Sequence, residues 1–268
     1  MIKLLVKFKK FFHSCGLSLV KQTTTQYAPI SDLFLWRSSD EWETYFDLMN
    51  IRKIINPLHV DSCPEAATLI FFSRFGKCLG QVLLDLPKIG PRLVNISELA
   101  KEYTSDEAGT FAVFHAAPSR ALAEALKSNI TDRGYVSYKF KGCALRRYVH
   151  GNLDAVALVE GGGVEYLMSS SFLKKEYRLQ VLMEKNKRYQ LALVNASTTL
   201  KKFRVDAFDF LLQKTFLVKK FEVQSGGFEL IDFCPKSNQY LTITSELIMA
   251  RPLVFEYHTE DYVDLYHG

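Results

Sequence analysis

The sequence predicts a mainly β protein of antiparallel β-sandwich architecture, built as two sandwich lobes with two or three short helices. Three observations carry that prediction. In the second half, apolar residues alternate: Tyr177, Leu179, Val181 and Met183 fall on one face of an extended chain, because successive strand side chains point to opposite sides. The same period returns in Phe203–Phe208, Phe216–Val223, Phe228–Phe233 and Tyr240–Thr244. Between these runs lie turn-forming stretches, Glu184–Lys187, Asn195–Thr199, Ser225-Gly226-Gly227 and Pro235–Asn238, a spacing that favours an antiparallel sandwich over a parallel α/β sheet. Finally, Phe (20) and Tyr (13) far outnumber Trp (2), and both suit a half-buried pleated surface.

From the N-terminus, residues 1–30 form a basic amphipathic segment. On a helix Leu4, Leu5, Phe8, Phe11 and Phe12 share one side, and Lys3, Lys7 and Lys10 another. The lysines interrupt the apolar run too often for a secretory signal, and the pattern fits contact with an anionic membrane or a protein through residues 1–14, or packing on the body. Residues 31–165 read as a β-rich lobe. It opens with a strand at Leu33–Trp36, followed by a helix near 40–55, begun by Asp40 with Glu43 and continued by Trp42, Tyr45, Phe46 and Met49. Thr68–Phe72 and Leu79–Leu86 make a hairpin around Gly76. Arg92–Ile96 and Thr110–His115 follow as strands, then a helix near 118–128 over Pro118–Lys127, then Gly134–Phe140 and Leu145–Glu160. Residues 170–268 read as the second lobe, in which Pro252 kinks the terminal strand. The order of elements in Thr68–His115 recurs in Gln190–His258 and suggests related lobes. The strand spacing of the second half resembles that of immunoglobulin-like and fibronectin-like sandwiches, without the disulfide and the buried Trp of a true immunoglobulin domain.

Charge narrows the function classes. Lys3, Lys7, Lys9, Lys10 and Lys21 account for the whole net charge of +5, leaving 29 basic against 29 acidic residues in the body. A neutral body lacks the basic field of a nucleic-acid binder, so no nucleic acid is expected as partner. Cys15, Cys63, Cys78, Cys143 and Cys234 are dispersed and odd in number, as in a cytoplasmic protein with reduced thiols, and no zinc spacing or cofactor motif is present. No metal site and no cofactor are expected. Asn95, Asn129 and Asn195 open glycosylation-type triplets that have no meaning without a secretory route.

The stretch richest in chemistry is Arg146–Val156. If extended, it sends Arg146, Tyr148, His150, Asn152 and Asp154 to one face, and Val149, Leu153 and Ala155 to the core. Such a ladder of donors and acceptors beside an aromatic ring suits a glycan or another polar small molecule, although the wet side of any antiparallel strand carries similar residues. The first functional reading is therefore a non-catalytic binding or accessory protein. A second is an enzyme assembling His115, His150 and His258 with nearby carboxylates, the last of them followed by Asp261 and Asp264. Asp206 with Asp209 could also form a carboxylate pair, but no nucleophile motif accompanies it. A third reading is an assembly subunit using exposed strand edges.

Overall fold

A computed structural model describes residues 28–50, 66–88, 90–115, 135–151, 155–259 and 262–268. The amphipathic N-terminal segment and the helix near 118–128 lie outside these residues. Among the described residues 61% are strand and 3% helix, and five small sheets take the arrangement of a five-bladed β-propeller. This overturns the two-lobe sandwich and the immunoglobulin-like expectation. The strands in chain order are β1 Ile30–Asp32, β2 Phe34–Arg37, β3 Trp42–Leu48, β4 Ala66–Phe72, β5 Cys78–Asp85, β6 Arg92–Asn95 and β7 Ala108–His115. They continue with β8 Tyr135–Phe140, β9 Arg147–His150, β10 Ala155–Leu158, β11 Val164–Tyr166, β12 Ser170–Arg178 and β13 Arg188–Val194. The last six are β14 Lys201–Asp209, β15 Lys214–Val223, β16 Phe228–Phe233, β17 Gln239–Leu247, β18 Leu253–Thr259 and β19 Tyr262–His267. Sheet I is ordered β1-β10-β11, sheet II β2-β7-β4-β5, sheet III β6-β3-β8-β9, sheet IV β12-β17-β14-β15 and sheet V β16-β13-β18-β19.

Sheets IV and V repeat the strand orders of II and III with every strand number raised by ten. The duplication suspected in the sequence is thus present in topology, but it pairs Phe34–His150 with Ser170–His267 rather than Thr68–His115 with Gln190–His258. Neither half keeps a core to itself. One cluster joins Trp36, Phe46, Phe71 and Phe111 to Phe228, Phe255 and Tyr257, and another joins Ile70, Phe72 and Phe114 to Leu191, Val205, Ile243 and Val254. Alternate residues of sheets II and V therefore enter different cores, which a separate pair of sandwiches would not allow. Period-2 patterning is common to sandwiches and propellers, so it could not choose between them.

The helix expected near 40–55 is replaced by strand β3 over its described part. Trp42, Thr44, Phe46 and Leu48 are buried in strict alternation with Glu43, Tyr45 and Asp47. Thr44 supports this inward face because its Oγ1 accepts from Arg37 N (2.8 Å) and donates to Arg37 O (2.9 Å). Trp42 anchors the core with Phe140 (4.7 Å between centroids), Phe255 (5.1 Å) and the Arg37 guanidinium over its ring (4.1 Å). A helix, α1 Ile96–Lys101, stands where the sequence suggested the end of a strand; Asn95 Oδ1 accepts from Glu98 N at its start. Pro252 directly precedes β18, consistent with its missing N–H.

Asn195 is fully buried at a turn in the second half. Its Nδ2 donates to Thr199 O and Val223 O (2.9 Å each), and its Oδ1 accepts from Ser197 N and Oγ. The triplet it opens is a turn-building device, with no amide left over for a sugar.

Candidate functional site

Sheet III buries Trp42, Phe46, Val136, Tyr138 and Val149 on one side and leaves the other side open. Register fixes what the open side carries. Tyr45 lies opposite Asn95 and Ser137, and Ser137 opposite Tyr148; the next row is Asp47, Tyr135 and His150. Directly opposed residues point the same way, so three tyrosines share one face. Tyr135 and Tyr148 are each about half exposed, whereas Ser137 between them is fully buried and its Oγ has no hydrogen-bond partner among the described residues.

Arg146 binds this face together. Its Nη2 donates to Tyr148 OH (2.9 Å), and its guanidinium lies 5.1 Å from the Tyr45 ring centroid and 5.7 Å from that of Tyr148. Tyr45 OH donates to Glu43 Oε2 (3.0 Å), and Lys139 Nζ lies 3.5 Å from the same oxygen. Burial raises the Tyr45 phenol above its usual range, with help from Glu43 and against Arg146. Burial likewise raises the Asp47 carboxyl, and Arg146 again opposes it.

Three of the five residues singled out in the sequence, Arg146, Tyr148 and His150, do share this neighbourhood. Asn152 and Asp154 lie outside the described residues. The single long strand expected from Leu145 to Glu160 is absent: β9 ends at His150 in sheet III, and β10 belongs to sheet I. Gly151 marks the break, packed so closely on Asp32 that a Cβ there would lie 1.6 Å from Asp32 Oδ2.

Compared with protein-family models, with curated proteins and with solved structures, the chain matches none. The reading of the site therefore rests on its own geometry.

His150 closes one end of the face. Its Nδ1 donates to Gly151 O (2.7 Å), leaving Nε2 as acceptor, and its own carbonyl accepts from His267 Nε2 (2.8 Å). The two imidazoles lie 5.1 Å apart beside a cavity of about 30 Å³, also lined by Arg251 and Leu253 and large enough for one water. Burial first, then the Arg251 and His150 charges, push His267 down to about 4, against the backbone hydrogen bonds of His150 and Pro252 that favour its cation.

The histidine cluster considered for catalysis is not assembled. His115 Nε2 donates to Met49 O (3.1 Å), His150 meets His267, and His258 Nε2 sits 3.2 Å from Asp264 Oδ2. Among the described residues no group of three His, Cys, Asp or Glu side chains is placed to hold a metal. Asp206 is forked by Arg204 (2.6 and 2.9 Å), and Asp209 is buried as a turn cap, so the two do not act as a free carboxylate pair. A larger hollow of about 410 Å³ on sheet IV is bordered by Lys174, Lys202, Arg204 and Lys220. Within it Lys202 faces Glu222 at 3.5 Å and Arg204 is paired with Asp206, the mixed charge of a solvated strand face.

Tyr45, Asp47, Tyr135 and Ser137 were not legible as site residues, because strand pairing rather than chain proximity brings them beside Tyr148. No helix among the described residues is long and apolar enough to cross a membrane.

Proposed function

We propose that the protein is a non-catalytic binding protein whose ligand is a glycan or another polyhydroxylated polar molecule, laid on the open face of sheet III. The observation that carries this reading is the placing of Tyr45, Tyr135 and Tyr148 on one face with Arg146, Asp47 and His150. Half-exposed tyrosine rings offer flat surfaces to the C–H faces of a sugar. Arg146 donates, while Asp47 and His150 Nε2 accept, so hydroxyls at the ring's rim find partners. The face is open rather than enclosed, which suits an extended ligand held at several rings better than a small one held in a pocket.

The test is retention of the full chain on a glycan array, followed by titration against any retained sugar. Tyr148→Ala and Arg146→Ala should each weaken binding about tenfold, the loss of one stacked ring or charge-assisted hydrogen bond, while the circular dichroism spectrum stays unchanged. A wild-type chain that retains no glycan, or variants that bind as well as wild type, would overturn the reading.

A further inference from the structure

We propose that the end of sheet IV carrying the β14–β15 turn docks on an anionic lipid bilayer, inserting Phe210, Leu211 and Leu212 between headgroups. This surface is separate from the open face of sheet III, and the proposal does not depend on that reading. Leu211 is 83% exposed, Leu212 59% and Phe210 41%, three consecutive apolar side chains at the tip of a hairpin. Solitary exposed leucines are ordinary, but a contiguous apolar tip is a feature of contact surfaces.

The tip is preformed. Asp209 Oδ1 accepts from Leu211 N (2.9 Å) and Leu212 N (3.0 Å), Gln213 takes the left-handed conformation (φ 50°), and its Nε2 donates to Phe210 O (2.8 Å). Phe210 braces the turn against Phe208 (5.4 Å) and Tyr240 (5.0 Å). With the backbone committed to these bonds, insertion requires no new ordering of the loop.

Three segments next to the tip each carry a lysine. Lys214 is the cross-strand partner of Asp209. Lys236 precedes Ser237, whose hydroxyl donates to Asp209 Oδ2, joined there by Gln239 Nε2 (3.2 Å). Lys185 N donates to Asn238 Oδ1 (2.9 Å), and Asn186 N to Pro235 O (2.9 Å). All three lysines are exposed and form no ion pair with a described residue. The nearby acids are already engaged: Asp209 is buried under its hydrogen bonds, and Glu184 lies 3.0 Å from Lys187. An apolar wedge flanked by exposed lysines that form no ion pair with a described residue matches the two layers of an anionic bilayer, acyl boundary and phosphate. A protein partner would need an apolar socket rimmed by acids to fit as well.

The duplicated topology adds a contrast. The counterpart of this hairpin, β4–β5, has its turn docked on the chain itself, with Phe228 N donating to Arg74 O (3.1 Å) and Arg74 paired with Glu229. Among the described residues Leu211 and Leu212 have no such seat.

The experiment is flotation of the full chain with phosphatidylcholine vesicles and with phosphatidylcholine vesicles doped with phosphatidylserine. Wild type should float with the anionic vesicles and much less with the neutral ones. The double variant Leu211→Ser/Leu212→Ser should lose about tenfold or more in vesicle affinity, and Lys214→Gln/Lys236→Gln about fivefold or more, each with an unchanged melting curve. Both variants keep the basic first thirty residues, so undiminished flotation of either would assign membrane contact elsewhere and overturn the proposal. So would a wild-type chain that ignores the anionic vesicles. Sedimentation showing a wild-type dimer that the leucine variant makes monomeric would replace the bilayer with a second copy of the chain.

Discussion

His267 should make the protein sensitive to mild acid, and the size of the effect follows from its setting. An exposed imidazole titrates near 6.5, whereas His267 is held at about 4. Between those values the unfolded chain takes up a proton that the folded chain refuses, so protonation favours unfolding. The stability tied to this neutral imidazole is complete above pH 6.5, falls as pH drops through the window from 6.5 to 4, and has no further to fall below it. At about 1.4 kcal/mol per pH unit, the interval corresponds to a loss on the order of 3 kcal/mol, a large part of a typical domain's margin. The perturbation that isolates it is His267→Gln. The glutamine amide can still donate to the His150 carbonyl, as His267 Nε2 does, but it does not titrate. Urea unfolding of both proteins at pH 7.5, 6.5, 5.5 and 4.5 supplies the comparison, because acids that titrate elsewhere cancel in the difference. Wild type should lose about 2.5 kcal/mol more than the variant between pH 7.5 and 4.5. Parallel loss in the two proteins would show that the His267 imidazole is not the sensitive group, and would refute the reasoning.

Two further perturbations test the fold, beside the binding and vesicle experiments already described. Gly76 has φ +75° and a Cβ there would lie 1.8 Å from Ser225 O, so Gly76→Ala should cost about 2 kcal/mol or more, read as a lowered urea midpoint; an unchanged midpoint would mean the two halves are not locked at this turn. Asn195→Asp keeps the shape but takes away both donors to Thr199 O and Val223 O, so about 3 kcal/mol should be lost, and a melting temperature equal to wild type would contradict the assigned hydrogen bonds.

Local extension was legible in the sequence; partnership was not. Phe228–Phe233 is observed with the bounds its alternation suggested, and Phe203–Phe208 lies within β14. Phe203–Phe208 has a clean period of two, whereas Phe228–Phe233 buries Phe228 and Ile231 on opposite faces; turns bound both. β3 shows why such reading fails elsewhere: Trp42, Phe46 and Met49 also fit helical spacing, and the residue that decides between periods, Thr44, is polar yet buried through bonds to Arg37 and Ser97. Those partners are distant or unpredictable in sequence. The start of α1 did carry a signal, Asn95 three residues before Glu98, which the glycosylation triplet and the preceding apolar pair obscured. At the site, alternation placed Arg146, Tyr148 and His150 together because they lie on one segment. Nothing in the chain order brings Tyr148 onto one face with Tyr45, since that placing depends on β3 and β9 both pairing with β8.

The duplicated strand order also bears on where ligands can reach. Sheets II and V occupy different places in their repeats, yet the central strands of both, β7 with β4 and β13 with β18, are buried on both faces. Sheets III and IV are left with one open face each, patterned by alternation in β3 and β14. The halves meet where equivalent residues touch: β9 ends in His150-Gly151 and β19 in His267-Gly268, and the two imidazoles are 5.1 Å apart. His267 is held at about 4 by its partial burial, whereas His150 lies exposed at the edge of the open face of sheet III. The same residue in the same topological position thus became a structural element in one half and a surface acceptor in the other. Burial of one repeat against the other separates scaffold from site here, and it directs the search for a ligand to sheets III and IV.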